Sequence, residues 1–230
     1  MDKRVVERQE WLKARQELLA REKELMRLQD EVAAARRKLP FVKLDKDYAF
    51  ETVRGPERLE DLFGPHDQLL IYHFMYGPDW EAGCPSCSFW ADSFDGNDAH
   101  FAARNVAFKV VSRGPLDRLQ AYRKRMGWRF DWVSAASSPF NFDFGVSFEE
   151  AQPDKQYNYR PAPDLVGERP GISAFYKDDE GIYHTYSTFG RGVEPVNSVY
   201  AYLDMAPKGR DEAELDYTMA WVRRRDEYGA

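Results

Sequence analysis

The chain has 230 residues, of which 43% are hydrophobic, 15% aromatic and 31% charged, and its formal net charge is -6. This size predicts one compact domain with appendages, and the aromatic content is that of a globular protein rather than a disordered one. The acidic balance argues against a nucleic-acid binder, which usually carries a basic face. No stretch reaches the roughly 20 apolar residues of a membrane span, and the charged N-terminus shows no secretory signal. We therefore predict a cytoplasmic protein that binds neither nucleic acid nor membrane.

Residues 1–39 contain neither Gly nor Pro, which predicts one long helix that ends before Pro40, followed by a domain over residues 40–230. Eight of nine positions at alternating steps of three and four are apolar, which is coiled-coil spacing. These positions are Trp11, Ala14, Leu18, Arg21, Leu25, Leu28, Val32, Ala35 and Leu39. A helix packed on its own domain has the same spacing, so both arrangements stay open. We expect the chain to form a homo-oligomer through this helix.

The next segments alternate between strands and helices. An extended entry is followed by a short helix at GPERLEDLFGP (55–65) and by a buried strand, QLLIYHFMY (68–76). A helix follows the two cysteines, and VAFKVVSR (106–113) is a second buried strand. An amphipathic helix is predicted over 114–128, and WVSA (132–135) reads as a short edge strand.

The C-terminal half begins with a long connection. Residues 137–167, rich in Pro, Asn, Asp and aromatics, are predicted to form a loop with one helical turn. Two apolar runs around KDDEG predict a hairpin over 171–189, and helices are predicted at 193–205 and 212–228. The order of elements predicts an α/β fold with helices on both faces of a mixed sheet.

Both cysteines of the chain, Cys84 and Cys87, stand in CPSC between a predicted strand and a predicted helix. Cytoplasmic thiols are kept reduced, so such a pair is more often catalytic or metal-binding than structural. The unpaired N–H groups and the dipole at a helix N-terminus stabilise a thiolate, and Pro85 suits the first helical turn. We predict that Cys84 is the nucleophile of a redox dithiol and that Cys87 is the resolving thiol.

Two other interpretations of the pair stay open. A zinc site needs two further ligands, and the remaining candidates, His66, His73, His100 and His184, lack the paired spacing of a zinc ribbon or finger. We therefore expect no metal. Two buried thiols without chemistry account for the presence of the cysteines but not for their spacing.

A thiol peroxidase of the peroxiredoxin type is the competing enzyme. Its usual motif places Thr or Ser three residues before the reactive Cys and Pro seven before. Those places hold Glu81 and Gly77 before Cys84, and Cys84 and Trp80 before Cys87. Neither cysteine fits, so peroxidase activity is the runner-up.

Three residues outside the pair are candidates for substrate binding. Pro170 precedes the predicted hairpin, where thioredoxin-like folds place a cis-proline opposite the cysteines. Arg169 would then lie near Cys84, and would lower its pKa or bind a carboxylate of the substrate. A trans-proline beside a surface arginine is equally open. Trp80 either shapes the rim of the site or anchors the loop by packing.

The chain resembles a bacterial family of thioredoxin-like proteins, catalogued as a domain of unknown function and as predicted dithiol-disulfide oxidoreductases. The resemblance extends over nearly the whole chain and is carried by strings such as LPFVKLDKDYAFE, YHFMYGPDWEAGCPSCSFWADSFDG, YRKRMGWRFDWVSA, HTYSTFGRG and MAWVRRRDEY. It implies a thioredoxin fold with a peroxiredoxin-like extension around residues 137–167, and a site at Cys84 and Cys87 with Pro170 opposite. Ordinary thioredoxins carry CGPC. Here Asp79 and Glu81 lie just upstream of CPSC, and their charge is expected to raise the thiol pKa.

The sequence thus predicts a thioredoxin-like α/β protein that exchanges its CPSC dithiol with a disulfide or thiol substrate, either a protein or a small molecule. Such exchange needs no metal or organic cofactor. The alternative from another class is a non-catalytic interaction protein, in which the fold is a scaffold and the long helix makes the contacts.

Overall fold

The computed structural model describes residues 3–229. The chain forms two compact units, the first ending at Pro40 and the second beginning at Phe41. The elements are, in chain order, α1 (Arg8–Arg36), β1 (Val42–Lys43), β2 (Ala49–Thr52), β3 (Gly55–Arg58), α2 (Leu59–Leu62), β4 (Gln68–His73), α3 (Pro85–Phe94), α4 (Asp98–Ala102), β5 (Val106–Ser112), α5 (Leu116–Met126), β6 (Trp132–Ser134), α6 (Phe140–Asp143), β7 (Ser147–Phe148), β8 (Gln156–Tyr157), β9 (Arg160–Pro161), β10 (Gly167–Glu168), β11 (Gly171–Asp178), β12 (Gly181–Phe189) and α7 (Ser198–Leu203). Short 3-10 segments cover Gly190–Val196 and Arg225–Glu227.

The first unit is one long helix, shorter than the predicted 1–39. α1 begins at Arg8, so residues 3–7 precede it, and a turn over 37–39 separates it from Pro40. The first two residues of the prediction lie outside the described part of the chain. None of the residues of α1 is buried, and its large apolar side chains are exposed to solvent.

The second unit is built on an eight-stranded sheet in the order β1-β12-β11-β4-β5-β6-β2-β3. β4, β5 and β6 are parallel, whereas β11 runs antiparallel to both β4 and β12. Two parallel strands joined through a helix, with an antiparallel hairpin on the other side of the first strand, form the thioredoxin-like arrangement. The predicted fold class is therefore confirmed.

Side chains alternate between two cores, one on each face of the sheet. Val110 and Trp132 pack into the core that contains α3 and α5, whereas their neighbours Val111 and Val133 pack into the opposite core with Phe140. Successive residues of a strand point to opposite faces, so a strand covered on both faces is apolar at every position. This is why the run in β4 has no polar alternation.

Two predictions in the first half of the sheet are wrong. β6 is not an edge strand, because β2 pairs with it at Glu51 and Ser134 and β3 follows beyond. The predicted helix at 55–65 is a strand in its first half and helical only over Leu59–Leu62. Gly55 has a φ of 112°, a value that favours glycine, and it begins β3 directly after the turn that joins this strand to β2.

The predicted C-terminal helix at 212–228 is also wrong. The carboxylate of Glu212 accepts hydrogen bonds from the Tyr200 hydroxyl (2.8 Å), the Met219 N–H (3.1 Å) and the Trp221 indole N–H (2.6 Å). Met219 has a φ of 71°, which is incompatible with a helix. The segment is therefore a series of turns, with a 3-10 turn at Arg225–Glu227.

The remaining predictions hold in their main features. The hairpin is present as β11 and β12, and α5 ends at Gly127 in the left-handed conformation. The predicted helix at 193–205 is divided into the 3-10 segment and α7, which Asn197 caps by accepting the Tyr200 N–H. The long connection contains α6 and the two small sheets β7–β10 and β8–β9. Between residues 3 and 229, no helix combines the length and apolar character that a membrane crossing requires.

Ser112→Ala is expected to destabilise the fold. The Ser112 hydroxyl is fully buried, donates to the Phe74 carbonyl at 2.6 Å and accepts the Trp132 indole N–H at 3.0 Å. The substitution leaves two buried polar groups unpaired, so we expect the free energy of unfolding to fall by about 2–4 kcal/mol. Urea denaturation measures the change.

Ser137→Ala is the matched control, because Ser137 is exposed. Its effect is expected to stay within about 0.5 kcal/mol. Equal effects of the two substitutions would contradict the role assigned to Ser112.

Candidate active site

The two cysteines lie beyond the carboxyl end of β4, where the chain enters α3. Cys84 is the N-cap residue and Pro85 the first helical residue. The Cys84 N–H donates to the Met75 carbonyl at 3.1 Å, and the Cys84 carbonyl accepts the Ser88 N–H at 2.9 Å. Pro85 costs no hydrogen bond here, because the first N–H groups of a helix have no partner within it. The helix therefore begins at the cysteine.

The surroundings of Cys84 lower the pKa of its thiol from 9.0 to about 6. The largest cause is a hydrogen bond that the Cys87 thiol donates to the Cys84 sulfur. Burial opposes it, and the N–H groups of Cys87 and Ser86 together with the Ser86 hydroxyl reinforce it. At neutral pH Cys84 is thus mainly a thiolate. This direction is opposite to the one expected from Asp79 and Glu81.

The pKa of Cys87 is shifted in the opposite direction. It is 1% exposed, and burial, followed by its interactions with Cys84, raises its pKa well above the usual value. The Met75 N–H donates to the Cys87 sulfur at 3.4 Å, and the Tyr72 hydroxyl also contacts this sulfur. Neither cysteine is in a disulfide. The pair therefore consists of one thiolate and one protonated thiol.

Residues remote in sequence hold the first turn of α3 in place. The Ser88 hydroxyl donates to the Cys84 carbonyl at 2.9 Å and shares a hydrogen bond with the Tyr122 hydroxyl at 2.9 Å. The Arg224 guanidinium donates to the Gly83 carbonyl through Nε (3.1 Å) and Nη2 (2.9 Å). From sequence, the RRR run around Arg224 reads as a solvated helix face, and nothing in its pattern indicates this contact.

A cavity of about 510 Å³ opens beside Cys87. Part of its lining comes from the end of β4, from the start of α3 and from Pro170. The rest comes from the chain beyond β12, through the 3-10 segment, α7 and residues 210–219. The lining residues that sequence reasoning missed include Met75, Trp90, Val193, Tyr200 and Met219.

The three predicted binding residues differ in their placement. Pro170 lines the cavity together with Cys87, and its peptide bond, like the others in residues 3–229, is trans. Arg169 donates to the Glu168 carbonyl at 2.7 Å, and Trp80 is 38% exposed beside Gly77. Neither of the last two belongs to the described lining of the cavity. Their binding roles stay predictions.

The histidines make contacts of their own. His73 and His184 share hydrogen bonds with Ser173 (2.8 Å) and Ser187 (2.7 Å), and burial lowers the pKa of His73 to about 3. Within residues 3–229, His, Cys, Asp and Glu side chains form no group of three or more that could hold a metal ion.

The sequence matches the profile of the family described as "Bacterial protein of unknown function (DUF899)" over residues 1–228, and the chain belongs to this family. The resemblance identified from the sequence is thereby confirmed. No curated protein matches the chain.

Several solved structures are similar in fold. A peroxiredoxin Q variant from Xanthomonas campestris is 17% identical, with 73% of this chain and 96% of that chain covered and a TM-score of 0.47. The peroxidoxin BcpB from Mycobacterium tuberculosis is 13% identical, with coverages of 70% and 94% and a TM-score of 0.49. A reduced 2-Cys peroxiredoxin from Plasmodium vivax is 16% identical, with coverages of 73% and 94% and a TM-score of 0.43.

The reaction of Cys84 with iodoacetamide is expected to reach half its maximal rate near pH 6, because the thiolate is the reactive form and its pKa is about 6. In Cys87→Ala the midpoint is expected to move up, since the largest stabilising hydrogen bond is lost. Ser86→Ala is expected to move it less. Alkylation rates of the reduced protein across pH measure these shifts.

Cys84→Ser serves as the control and is expected to leave no reactive thiol at neutral pH, because Cys87 is buried and protonated. A wild-type midpoint near 9.0, the ordinary value, would show that the thiol is not activated.

Proposed function

We propose that the chain is a thiol-disulfide oxidoreductase that uses Cys84 and Cys87 as its dithiol. The observation that carries this proposal is the placement of the two thiols at the start of α3, with Cys84 as its N-cap and Cys87 buried behind it, which shifts their pKa values in opposite directions. Exchange requires a thiolate that attacks and a second thiol that stays protonated until the mixed disulfide has formed. A structural pair of buried cysteines has no need of such a difference.

The reaction proceeds in two displacements. The Cys84 thiolate attacks one sulfur of a substrate disulfide, forms a mixed disulfide and expels the other substrate sulfur as a thiolate, which takes a proton from solvent. Cys87 then attacks Cys84 Sγ, and its proton leaves with the second substrate thiol. The protein ends as the Cys84–Cys87 disulfide and the substrate as two thiols. The Tyr72 hydroxyl, whose own pKa is raised well above its usual value by burial, stays protonated and contacts the Cys87 sulfur.

Peroxide reduction is the second candidate, and the Ser86 hydroxyl favours it, because it interacts with the Cys84 sulfur. In this reaction the Cys84 thiolate takes the terminal oxygen of a hydroperoxide and becomes a sulfenic acid, releasing an alcohol after protonation. Cys87 then condenses with the sulfenic acid and releases water. Both reactions use the same thiolate, so the substrate distinguishes them.

The Cys87→Ser variant is expected to stop exchange at the mixed disulfide, since no thiol remains to resolve it. Incubation with hydroxyethyl disulfide at neutral pH should leave one hydroxyethylthio group on Cys84, detected by intact-protein mass spectrometry. Treatment of the same variant with hydrogen peroxide and dimedone measures sulfenic acid formation and thereby tests the second candidate.

Cys84→Ser is the matched control, and it is expected to form no adduct because Cys87 is buried and protonated. If Cys87→Ser also forms none with either reagent, the chain is a non-catalytic scaffold. Faster reaction with peroxide than with disulfide would favour the peroxidase.

We further propose that two copies associate through α1. Three of the apolar positions at coiled-coil spacing, Leu18, Leu25 and Leu28, are each more than half exposed. The positions that precede the first apolar residue of each heptad are all glutamates, namely Glu10, Glu17, Glu24 and Glu31.

This charge pattern favours a parallel pair. In a parallel coiled coil these positions face the residues five further along the partner, so Glu10 faces Arg15 and Glu31 faces Arg36, whereas Glu24 faces Gln29 and Glu17 faces Glu22. In an antiparallel pair the glutamates would face one another.

Leu18→Asp is expected to shift the full chain from dimer to monomer, because it places a charge in the apolar seam, that is, among the apolar residues of α1 at coiled-coil spacing. Leu19→Asp introduces the same change at the next residue, which is also exposed but outside the seam, and is expected to leave the dimer intact. Light scattering coupled to size-exclusion chromatography measures the mass. A monomeric wild type, or equal effects of the two variants, would refute the pairing.

A further inference from the structure

The chain beyond β12 packs against α3 and is hydrogen-bonded to it. The Trp90 indole N–H donates to the Val193 carbonyl at 2.9 Å, and the Phe89 ring packs edge-on against Tyr200 (5.4 Å between centroids) and Trp221 (5.5 Å). Together with the contact of Arg224 to the loop before Cys84, these interactions tie the segment down on both sides of the cavity. The segment therefore covers Cys87, whereas the attacking thiol, Cys84, is partly exposed and lies outside the described lining of the cavity.

Both arginines of the cavity pair with carboxylates, and its remaining carboxylate accepts hydrogen bonds from neutral donors. Arg210 donates from Nε and Nη2 to the two Asp204 carboxylate oxygens and from Nη1 to Glu194, each at 2.7 Å. Arg191 also pairs with Glu194, through Nε at 3.1 Å. Glu212 already accepts three hydrogen bonds, described above. No charged side chain of the described lining lacks a partner, so the cavity offers little to a charged ligand.

The remaining surface suits an apolar group. Tyr72, Met75, Trp90, Val193 and Met219 all contribute to the lining. A volume of about 510 Å³ lies in the range of pockets that hold small organic molecules. Ser86 and Cys87, which also line it, are the two residues whose groups hydrogen-bond the Cys84 sulfur.

We propose that the substrate is a small, neutral disulfide with an apolar group, which the cavity holds beside the dithiol. This inference rests on the proposed exchange reaction. One disulfide is reduced to two thiols while the protein dithiol is oxidised, and the apolar group remains in the cavity during the attack by Cys84. Protein disulfides and charged disulfides such as that of glutathione are poor substrates.

Two probes test the inference, and they differ in one substituent, a phenyl ring in place of a hydroxymethyl group. Benzyl hydroxyethyl disulfide is expected to oxidise the reduced protein at least about tenfold faster than hydroxyethyl disulfide, which is the effect of burying one aromatic ring. Glutathione disulfide and the disulfides of folded insulin are expected to react more slowly than either. Stopped-flow tryptophan fluorescence or acid-quenched thiol titration follows the reaction.

Thr218→Trp is the blocking variant, because Thr218 lines the cavity and is otherwise exposed. It is expected to lower the rate with the benzyl probe much more than the rate with hydroxyethyl disulfide, and so to remove the advantage of the benzyl probe. Tyr217→Trp adds an indole at the neighbouring position, which is 67% exposed and outside the described lining, and is expected to change neither rate. Calorimetry with benzyl hydroxyethyl sulfide, which cannot be reduced, is expected to show binding to the wild type and not to Thr218→Trp.

The outcomes separate the two proposals. If hydroxyethyl disulfide does not oxidise the wild type, the exchange reaction itself fails, and this inference with it. If it does, but the benzyl ring gives no advantage or Thr218→Trp leaves that advantage intact, only the cavity inference is overturned. Efficient reduction of insulin would likewise overturn it alone.

Discussion

The site depends on one residue that binds both cysteines through its backbone. The Met75 carbonyl accepts the Cys84 N–H at 3.1 Å, and the Met75 N–H donates to the Cys87 sulfur at 3.4 Å. Met75 follows β4, the strand that pairs with both β5 and β11 at the centre of the sheet. The positions of the two sulfurs are thereby fixed relative to a central strand of the sheet. Because the first turn of α3 is held in this way, its N–H groups already point at the Cys84 sulfur before a substrate binds.

The chain beyond β12, which covers the site, is held by a different kind of contact, namely hydrogen bonds of side chains. Tyr200, Trp221 and Met219 converge on the single carboxylate of Glu212, and Arg224 reaches the carbonyl before Cys84. Only the Met219 N–H is a backbone donor that a helix would have paired within the segment, whereas the other bonds come from side chains. These side-chain bonds hold the C-terminal chain against α7 and the start of α3, beside the cavity.

The sequence predicted the parts of the fold that local pattern determines. The apolar run of β4, the hairpin around KDDEG and the Cys-Pro start of α3 each follow from adjacent residues. The wrong predictions concern elements whose structure depends on contacts with residues far away in the sequence. β6 reads as an edge strand because its partner β2 lies far from it in the sequence, 83 positions from Glu51 to Ser134, and no pattern in either strand indicates the pairing. The C-terminal apolar residues have helical spacing, but the φ of Met219 and the bonds to Glu212 override it.

The lowered pKa of Cys84 accounts for only part of the reactivity that an exchange enzyme needs. At pH 7 a fall in pKa from 9.0 to about 6 raises the thiolate fraction from about 1% to about 90%. The intrinsic nucleophilicity of a thiolate falls with its pKa, with a Brønsted coefficient of about 0.4–0.5, which over this shift costs a factor of about 15–30. The net gain in the rate of attack is then only a few-fold. Holding the reacting sulfur against the thiolate contributes far more, since well-oriented reactants reach effective molarities of about 10⁵ M and above. In the proposed reaction, the lowered pKa therefore ensures that the nucleophilic thiolate is present at neutral pH. The larger acceleration comes from the cavity, which orients the substrate beside that thiolate.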